Sequence, residues 1–270
     1  MKKTFLYLSI VLSCMTVSCK KEVNIFSIND DKELGTQVTE EILNNPGEYP
    51  ILDRTKYASV YQYVEGIMNT ILESNLVDNK SKFDWELTII EQNVLNAFAA
   101  PGGKLFFYTG FLKYAESEAE LAGVMAHEIA HSDRRHSTAT MTKVYGLQTL
   151  LSVVLGNNSG TLKEIAATLA LNGAALQFSQ KHEYEADEYS VKYLNSVRSI
   201  KAYDPMAITD FFDHMKRDSL STPNGNFEFL RTHPYDDNRK ANVKKVWEKL
   251  GSPAGEKYES QYTNFKTSLP

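Results

Sequence analysis

The residues most suited to chemistry in this sequence form the run His127-Glu128-Ile129-Ala130-His131. Two histidines four residues apart lie on one face of a helix, where both imidazoles can bind the same zinc ion. Glu128 lies next to them and can take a proton from a water bound to that metal. The plainer alternative is a core helix whose two histidines are hydrogen-bonded.

The residues before this run predict the helix that must position it. Ser117 and Glu120 have the spacing of a capping box, which marks a helix start. The stretch from Leu121 to Ile129 is apolar or small, as expected of a buried helix. The sequence therefore predicts that both histidines lie inside the protein.

A catalytic zinc needs a third protein ligand, and candidates lie farther along the chain. Arg134 and Ser137 occupy the places where the metzincin pattern has its Gly and its third His, so that pattern is excluded. Glu183 and Asp187 are again four residues apart, so one can bind the metal while the other accepts the free N–H of a ligating imidazole. His182 is the alternative third ligand.

The remaining elements predict a mainly helical α+β fold. Apolar residues recur with helical spacing from Leu34 to Ile42 and from Tyr57 to Ile71, and a largely helical pattern runs from Ser117 to Leu250. Asp30 with Glu33 resembles the capping pair of the first helix. Alternating residues over 85–89, and a turn at residues 101–103 between two further apolar runs, predict a small antiparallel sheet.

The composition excludes several classes of protein. The net charge is −5, and no block of basic residues is present, so we expect no nucleic-acid partner. The two cysteines, Cys14 and Cys19, both lie near the N-terminus. A disulfide framework or a thiolate zinc site is therefore excluded, and any metal must be held by histidines and carboxylates.

The N-terminus has the pattern of a secretion signal. Two lysines precede a short apolar run that ends at Ser18-Cys19, which resembles a bacterial lipoprotein signal with Cys19 as the lipidated residue. Cys14 is the alternative processing site. We expect a signal peptide over residues 1–18, a tether over 19–29, one domain over 30–250 and a loose tail over 251–270.

Two segments, residues 145–155 and 165–178, are apolar nearly all round. Each is shorter than the roughly 17 residues that span a bilayer, and a polar turn separates them. We therefore expect helices buried in the core rather than helices inserted in a membrane.

Four motifs together resemble the HtpX and CAAX-prenyl-protease-like gluzincins, peptidase family M48. They are the histidine run with Arg135-His136 after it, Glu183-x-x-x-Asp187, Asn96-Ala97-Phe98-Ala99-x-Pro101-Gly102-Gly103 and His233-Pro234-x-x-x-x-Arg239. Members that cut prenylated proteins carry several long spanning helices, which this sequence does not show. The resemblance therefore implies a minimal, lipid-anchored peptidase with a zincin-like domain.

The resemblance also implies roles for particular residues. It implies one Zn²⁺ per chain held by His127, His131 and Glu183, with Glu128 as general base and acid. Asp187 would orient a ligand histidine, His127 by preference, and Arg135 and His136 would brace the end of the catalytic helix. Asn96, Ala97, Phe98 and Ala99 would form an edge strand that binds an extended substrate.

The resemblance leaves two roles open for His233. It can stabilise the oxyanion together with Arg239, or it can be a fourth, inhibitory zinc ligand. We favour the oxyanion role, because Arg239 suits a developing negative charge better than it suits a zinc cation.

These features favour a zinc endopeptidase that acts on cell-envelope proteins and faces the periplasm from a membrane, with the outer membrane preferred over the inner one. An assembly factor that binds unfolded chains without cutting them is the alternative, and a structural zinc protein is a third. Glu128 separates the three, because a scaffold needs the metal ligands but has no use for a base.

Overall fold

A computed structural model describes residues 23–145, 164–169, 178–218, 228–234 and 236–270. The helices are α1 (Ile28–Leu43), α2 (Ala58–Leu72), α3 (Thr109–Tyr114), α4 (Glu118–Asp133), α5 (His136–Tyr145), α6 (Gln180–Ser196), α7 (Ala207–Arg217), α8 (Glu228–Thr232), α9 (Asp237–Lys249) and α10 (Glu259–Lys266). The strands are β1 (Glu86–Ile90), β2 (Ala97–Ala100) and β3 (Lys104–Tyr108). The predicted α+β class with a predominance of helix is confirmed.

The sheet has the order β1–β3–β2 and is mixed. β2 and β3 pair antiparallel, as predicted, but β1 and β3 pair in parallel. The prediction of an antiparallel sheet is wrong for β1. After β2 the chain reverses, and β3 runs between β1 and β2 in the same direction as β1. Gly102 and Gly103 make the reversal between β2 and β3 with φ of 73° and 89°, which only glycine adopts at little cost.

The sheet separates two apolar clusters. Alternate residues such as Leu87, Leu105 and Phe107 enter the larger cluster, which also receives α2, α4 and α7. Their neighbours Phe98 and Phe106 enter a smaller cluster against α1. Because both faces are covered, strand residues of either parity are buried.

Helix α4 is buried along its whole length and packs against α2, α6 and α7. Its start is as predicted, since the Ser117 side chain accepts a hydrogen bond from the backbone N–H of Glu120. A Cβ on Gly123 would lie 2.8 Å from the backbone nitrogen of Ile208, so this glycine allows α4 and α7 to pack closely. The helix that carries the histidines is thus held on several sides.

Both ends of the predicted domain require correction. The first helix begins with Ser27 and Asp30 as its capping box, three residues before the predicted Asp30–Glu33 pair. The C-terminal segment is not a loose tail, because α10 buries Tyr262 and Phe265 in the larger cluster. The Tyr262 hydroxyl donates to the Leu112 carbonyl at 2.7 Å. Burial of a side chain such as Phe265 stabilises the fold by roughly 1.5–3 kcal/mol.

Several predictions fall outside the described residues: the signal peptide with Cys14 and Cys19, and most of the two apolar segments. Residues 164–169 are helical, and Ile165, Ala166 and Leu169 are buried in the smaller cluster. Among the residues described, no helix combines the length and the apolar character needed to cross a membrane.

Candidate metallopeptidase active site

The two histidines of α4 point to the same place. The Nε2 atoms of His127 and His131 are 3.0 Å apart, and both rings are fully buried. Their spacing of one helical turn produces this convergence, as the sequence predicts.

Glu183 reaches the same point from α6. Its Oε1 lies 3.4 Å from His131 Nε2, and its Oε2 lies 3.6 Å from His127 Nε2. The side chain of Ser179 caps this helix and accepts from the backbone N–H of His182. The alternative third ligand, His182, faces elsewhere, because its ring stacks on His136 at 4.4 Å.

His233 completes the cluster. Its Nδ1 lies 3.3 Å from His127 Nε2 and 3.2 Å from Glu183 Oε1, while its Nε2 lies 3.3 Å from Glu128 Oε1. Ligand atoms of His127, His131, Glu183 and His233 all lie within 4.8 Å of one another. In this conformation His233 therefore stands at the position of a fourth ligand.

The donor set fits a metal ion. If His127 Nδ1 donates its proton to Asp187, its Nε2 presents a lone pair toward His131, as a metal ligand must. The ligand atoms of the cluster are 3.0 to 3.6 Å apart. These distances are close to the edges of a tetrahedron of N and O ligands at about 2.0–2.1 Å from a central zinc. Two imidazoles and a carboxylate are also the usual protein ligands of a catalytic zinc.

A second layer of groups orients the histidines. His127 Nδ1 lies 3.0 Å from Asp187 Oδ1, the partner that the sequence analysis assigned to it. His131 Nδ1 lies 3.0 Å from His136 Nδ1. Both ligand rings are thus held through the nitrogen that faces away from the cluster, which fixes their orientation.

Arg135 does not belong to this layer. It follows the C-terminal end of α4 with a φ of 63°, and its guanidinium contacts Asp31 and the backbone carbonyls of Phe26 and Ser27. Of the two residues predicted to brace the catalytic helix, His136 contacts a ligand, whereas Arg135 ties the helix end to the N-terminal segment.

Arg239 has partners other than those predicted. Its Nε and Nη2 donate to the two carboxylate oxygens of Asp187 at 2.8 and 2.7 Å, and its Nη1 lies 2.8 Å from Glu183 Oε2. Nη1 also donates to the Pro234 carbonyl at 3.2 Å. The guanidinium is fully buried and faces two carboxylates, which the prediction of an oxyanion donor did not include.

The electrostatic environment sets the charge of each group. Full burial raises the pKa of the Glu128 carboxyl, which suits a group that must accept and release a proton. Burial opposes the charged form of Glu183, but Arg239 and His233 outweigh it and hold its pKa well below the ordinary value. Burial lowers the pKa of His131, so its imidazole is neutral.

The predicted substrate-binding strand lies beside the base. β2 forms an edge of the described sheet and packs against α4, the helix that carries Glu128. Asn96, just before the strand, is 1% exposed, and neither polar atom of its amide has a hydrogen-bond partner among the described residues. Ala97 and Phe98 are also buried.

One residue of the site, Phe178, was not predicted from the sequence. Phe178 stacks on the His131 ring with 4.0 Å between centroids, and its backbone N–H donates to the Thr232 carbonyl. It joins the metal ligands to the segment that carries His233. Its position at the end of an apolar run gave no signal beyond that of a core residue.

Comparison with known proteins agrees with this site. Residues 59–246 match peptidase family M48. The chain is 28% identical over 242 residues to the mitochondrial metalloendopeptidase OMA1 of Schizosaccharomyces pombe, covering 88% of this chain and 66% of that protein. It is 30% identical over 189 residues to the beta-barrel assembly-enhancing protease of Yersinia pestis, covering 66% of this chain and 37% of that protein.

The protein of the same name from Escherichia coli K12 is 28% identical over 197 residues, covering 68% of this chain and 38% of its own length. The chain thus spans between about one third and two thirds of these relatives. The match to the family covers well over half of this chain and includes every residue of the metal-ligand cluster. The chain therefore belongs to peptidase family M48 and carries the metallopeptidase domain of that family.

Proposed function

We propose that this protein is a zinc-dependent endopeptidase that cuts proteins of the bacterial cell envelope. The observation that carries the proposal is the position of Glu128, a fully buried carboxyl within 3.3 Å of His233 and next in sequence to His127. A structural metal site needs the ligands alone, whereas a hydrolase also needs a base at the metal.

The ligands of the zinc ion would be His127, His131 and Glu183. When bound there, zinc supplies the charge that lowers the pKa of an attacking water and polarises the peptide carbonyl. Glu128 would take a proton from that water while the water oxygen attacks the carbonyl carbon. It would then deliver the proton to the leaving nitrogen as the C–N bond breaks. Asp187 keeps the His127 imidazole in one tautomer throughout.

His233 has the geometry of a resting-state ligand. Its Nδ1 stands with the other ligand atoms, where a catalytic site keeps a position open for water. We therefore now favour the inhibitory role over the oxyanion role. Arg239 contacts Asp187 and Glu183 on the side away from the metal ligands, and its single positive charge stabilises both carboxylates.

The substrate would bind as an extended strand along the edge of β2 that pairs with no other described strand. Such pairing satisfies backbone groups on both chains and depends little on side-chain sequence. The Asn96 amide has no hydrogen-bond partner among the described residues, which suits it to a peptide group of the substrate at the start of this strand. A protease for misfolded or misassembled proteins needs this low sequence dependence.

The envelope location rests on two supports. One is the lipoprotein-like signal ending at Cys19, and the other is the similarity to proteases named for beta-barrel assembly. We propose that acyl chains on Cys19 attach the domain to the membrane on its periplasmic side.

The decisive experiment is cleavage of casein or an unstructured peptide by the detergent-solubilised full-length protein. Zinc-loaded wild type should cleave, chelator should abolish cleavage, and Glu128→Gln should lower kcat by about 10²–10⁴ with the metal retained. Glu188→Gln is the matched control, because Glu188 lies on the surface of α6 and pairs with Lys192. Prevention of aggregation without any cleavage would instead support the non-hydrolytic assembly factor.

A further inference from the structure

A second group of ionisable side chains surrounds a cavity of about 330 Å³ at the first turn of α4. It lies between that turn, the C-terminal end of α7 and the segment leading to α10. Five carboxyl groups line it, against the cations Arg217 and Lys257. The described lining therefore carries an excess of negative charge that the peptidase mechanism does not use.

His214 is the exceptional member of this group. The sequence suggests only a packed or surface histidine there, but its side chain is 5% exposed, and its ring stacks on Tyr114 with 4.0 Å between centroids. Its Nε2 lies 3.4 Å from Asp218 Oδ2. Its buried Nδ1 has no hydrogen-bond partner in the part of the chain that the structure describes.

This arrangement prepares the imidazole as a ligand. A carboxylate facing Nε2 holds the ring proton on that nitrogen and leaves a lone pair on Nδ1, as at many metal-binding histidines. Burial also lowers the pKa of His214, so the ring is neutral. A neutral histidine with one nitrogen held and the other unpaired is the form that binds a metal ion.

Two carboxylates flank the ring. Glu120 Oε2 lies 3.7 Å from Nδ1, and Glu116 Oε1 lies 3.5 Å from Nε2. Ligand atoms of the three residues fall within 4.8 Å of one another. Tetrahedral ligands at about 2.0–2.2 Å from a zinc ion are separated by roughly 3.3–3.6 Å, so the more distant ligand atoms must move closer by up to about 1 Å.

We propose that Glu116, Glu120 and His214 form a second divalent-cation site, separate from the catalytic ligands. One imidazole and two carboxylates suit a borderline ion such as Zn²⁺ or Mn²⁺, with water completing the coordination. Glu120 precedes His127 by seven residues, or about 10 Å along α4. The cation would therefore join the start of the catalytic helix to the end of α7.

Both carboxylate ligands already have hydrogen-bond partners. Glu120 Oε2 accepts from the Glu116 backbone N–H at 2.7 Å, and a carboxylate oxygen can keep this bond while it binds a cation. Arg217 donates to both carboxylate oxygens of Glu116, at 2.8 and 3.3 Å. The Glu116 side chain is 51% exposed and can turn toward a cation while keeping one of these bonds. The second site should therefore bind metal more weakly than the catalytic site, where the ligands are fully buried.

The test is the zinc content of the full-length protein after stripping with chelator and dialysis against buffered Zn²⁺. Wild type should hold about two zinc ions per chain at saturation and His214→Phe about one, since Phe keeps the stacking on Tyr114 but offers no ligand atom. Glu116→Gln should weaken the second site about tenfold or more. Glu73→Gln, an exposed carboxylate paired with Lys80, is the control and should retain both ions.

The double variant His127→Ala/His131→Ala removes two catalytic ligands and so distinguishes the two sites. It should keep about one zinc ion, bound at the second site. Zinc should raise the melting temperature of this variant but not after His214→Phe is added. This readout does not depend on peptidase activity. If His214→Phe does not fold, the zinc content of Glu116→Gln decides the question, because Glu116 is exposed and its replacement should leave the fold intact. One zinc ion in wild type, or equal zinc contents in wild type and both second-site variants, would overturn the proposal.

Discussion

Replacing Arg239 by Met should destabilise the metal-free protein severely. Arg239 is 1% exposed and makes the closest cationic contacts to the buried carboxylates of Asp187 and Glu183. Met retains much of the side-chain volume, so the main effect is that two buried carboxylates lose the arginine that contacts both of them. Breaking a buried ion pair from one side costs about 3–5 kcal/mol. For a chain of this size, each kcal/mol lowers the melting temperature by about 2–4 °C, which gives a fall of roughly 6–20 °C.

The measurement is thermal unfolding in chelator, with urea unfolding as a second method. Arg54→Met is the matched control, because Arg54 pairs with Glu65 at the surface and should contribute about 1 kcal/mol or less. Adding Asp187→Asn to Arg239→Met should restore part of the loss, because it removes one of the unpaired charges.

An oxyanion donor would behave differently. If Arg239 acted only on the transition state, Arg239→Met would keep the melting temperature, lower kcat by about 10²–10³ and show no coupling to Asp187→Asn. A melting temperature within about 2 °C of wild type, together with that loss of turnover, would refute the assignment of Arg239 to the two carboxylates.

Four further changes test other parts of the molecule. Glu183→Ala should lose most of the bound zinc, measured by metal analysis, and unchanged zinc would make His182 or His233 the third ligand. His233→Ala should raise kcat in a peptide assay if it occupies the water position, whereas a fall of about 10²–10³ with zinc retained would restore the oxyanion role. Burial raises the pKa of Glu120 to about 7, so the protonated form is favoured in the folded state. In chelator, the unfolding free energy should therefore fall by up to about 3 kcal/mol between pH 4.5 and 7, and Glu120→Gln should flatten this part of a urea-unfolding pH series. Cys19→Ala should move the protein from the membrane to the soluble envelope fraction, and membrane association that survives high salt would contradict the lipid anchor.

The metal cluster could be predicted because its geometry is local. A spacing of four residues puts His127 and His131 on one helical face whatever the rest of the fold does, and the same holds for Glu183 and Asp187. Which of these two carboxylates binds the metal and which orients a ligand histidine depends on how α6 lies against α4. The family resemblance supplied that choice. The roles of His233 and Arg239 depend on contacts between three elements, so spacing alone could not separate them.

The errors also have physical causes. Parallel pairing of β1 with β3 is a long-range relation that alternation within a strand does not encode. The C-terminal helix is short and mostly polar, and its two buried aromatics, Tyr262 and Phe265, are too few to form a recognisable apolar stripe. The first helix starts at Ser27 because Asp30 serves as its N3 residue, whereas Glu is the commoner acid there.

If Cys19 carries a lipid anchor, the contact of Arg135 with Phe26 and Ser27 helps to limit how far the domain can move from the membrane. The chain is fixed to the protein from Asn24 onward, because the Asn24 amide donates to Thr138 Oγ1 and Phe26 is buried. Asn24 lies five residues after Cys19, and at about 3.6 Å per residue these five residues can span at most about 18 Å, less than the thickness of a bilayer's hydrocarbon core. An anchor at Cys19 would therefore keep the end of the catalytic helix near the lipid surface and favour substrates still held there over proteins free in the periplasm.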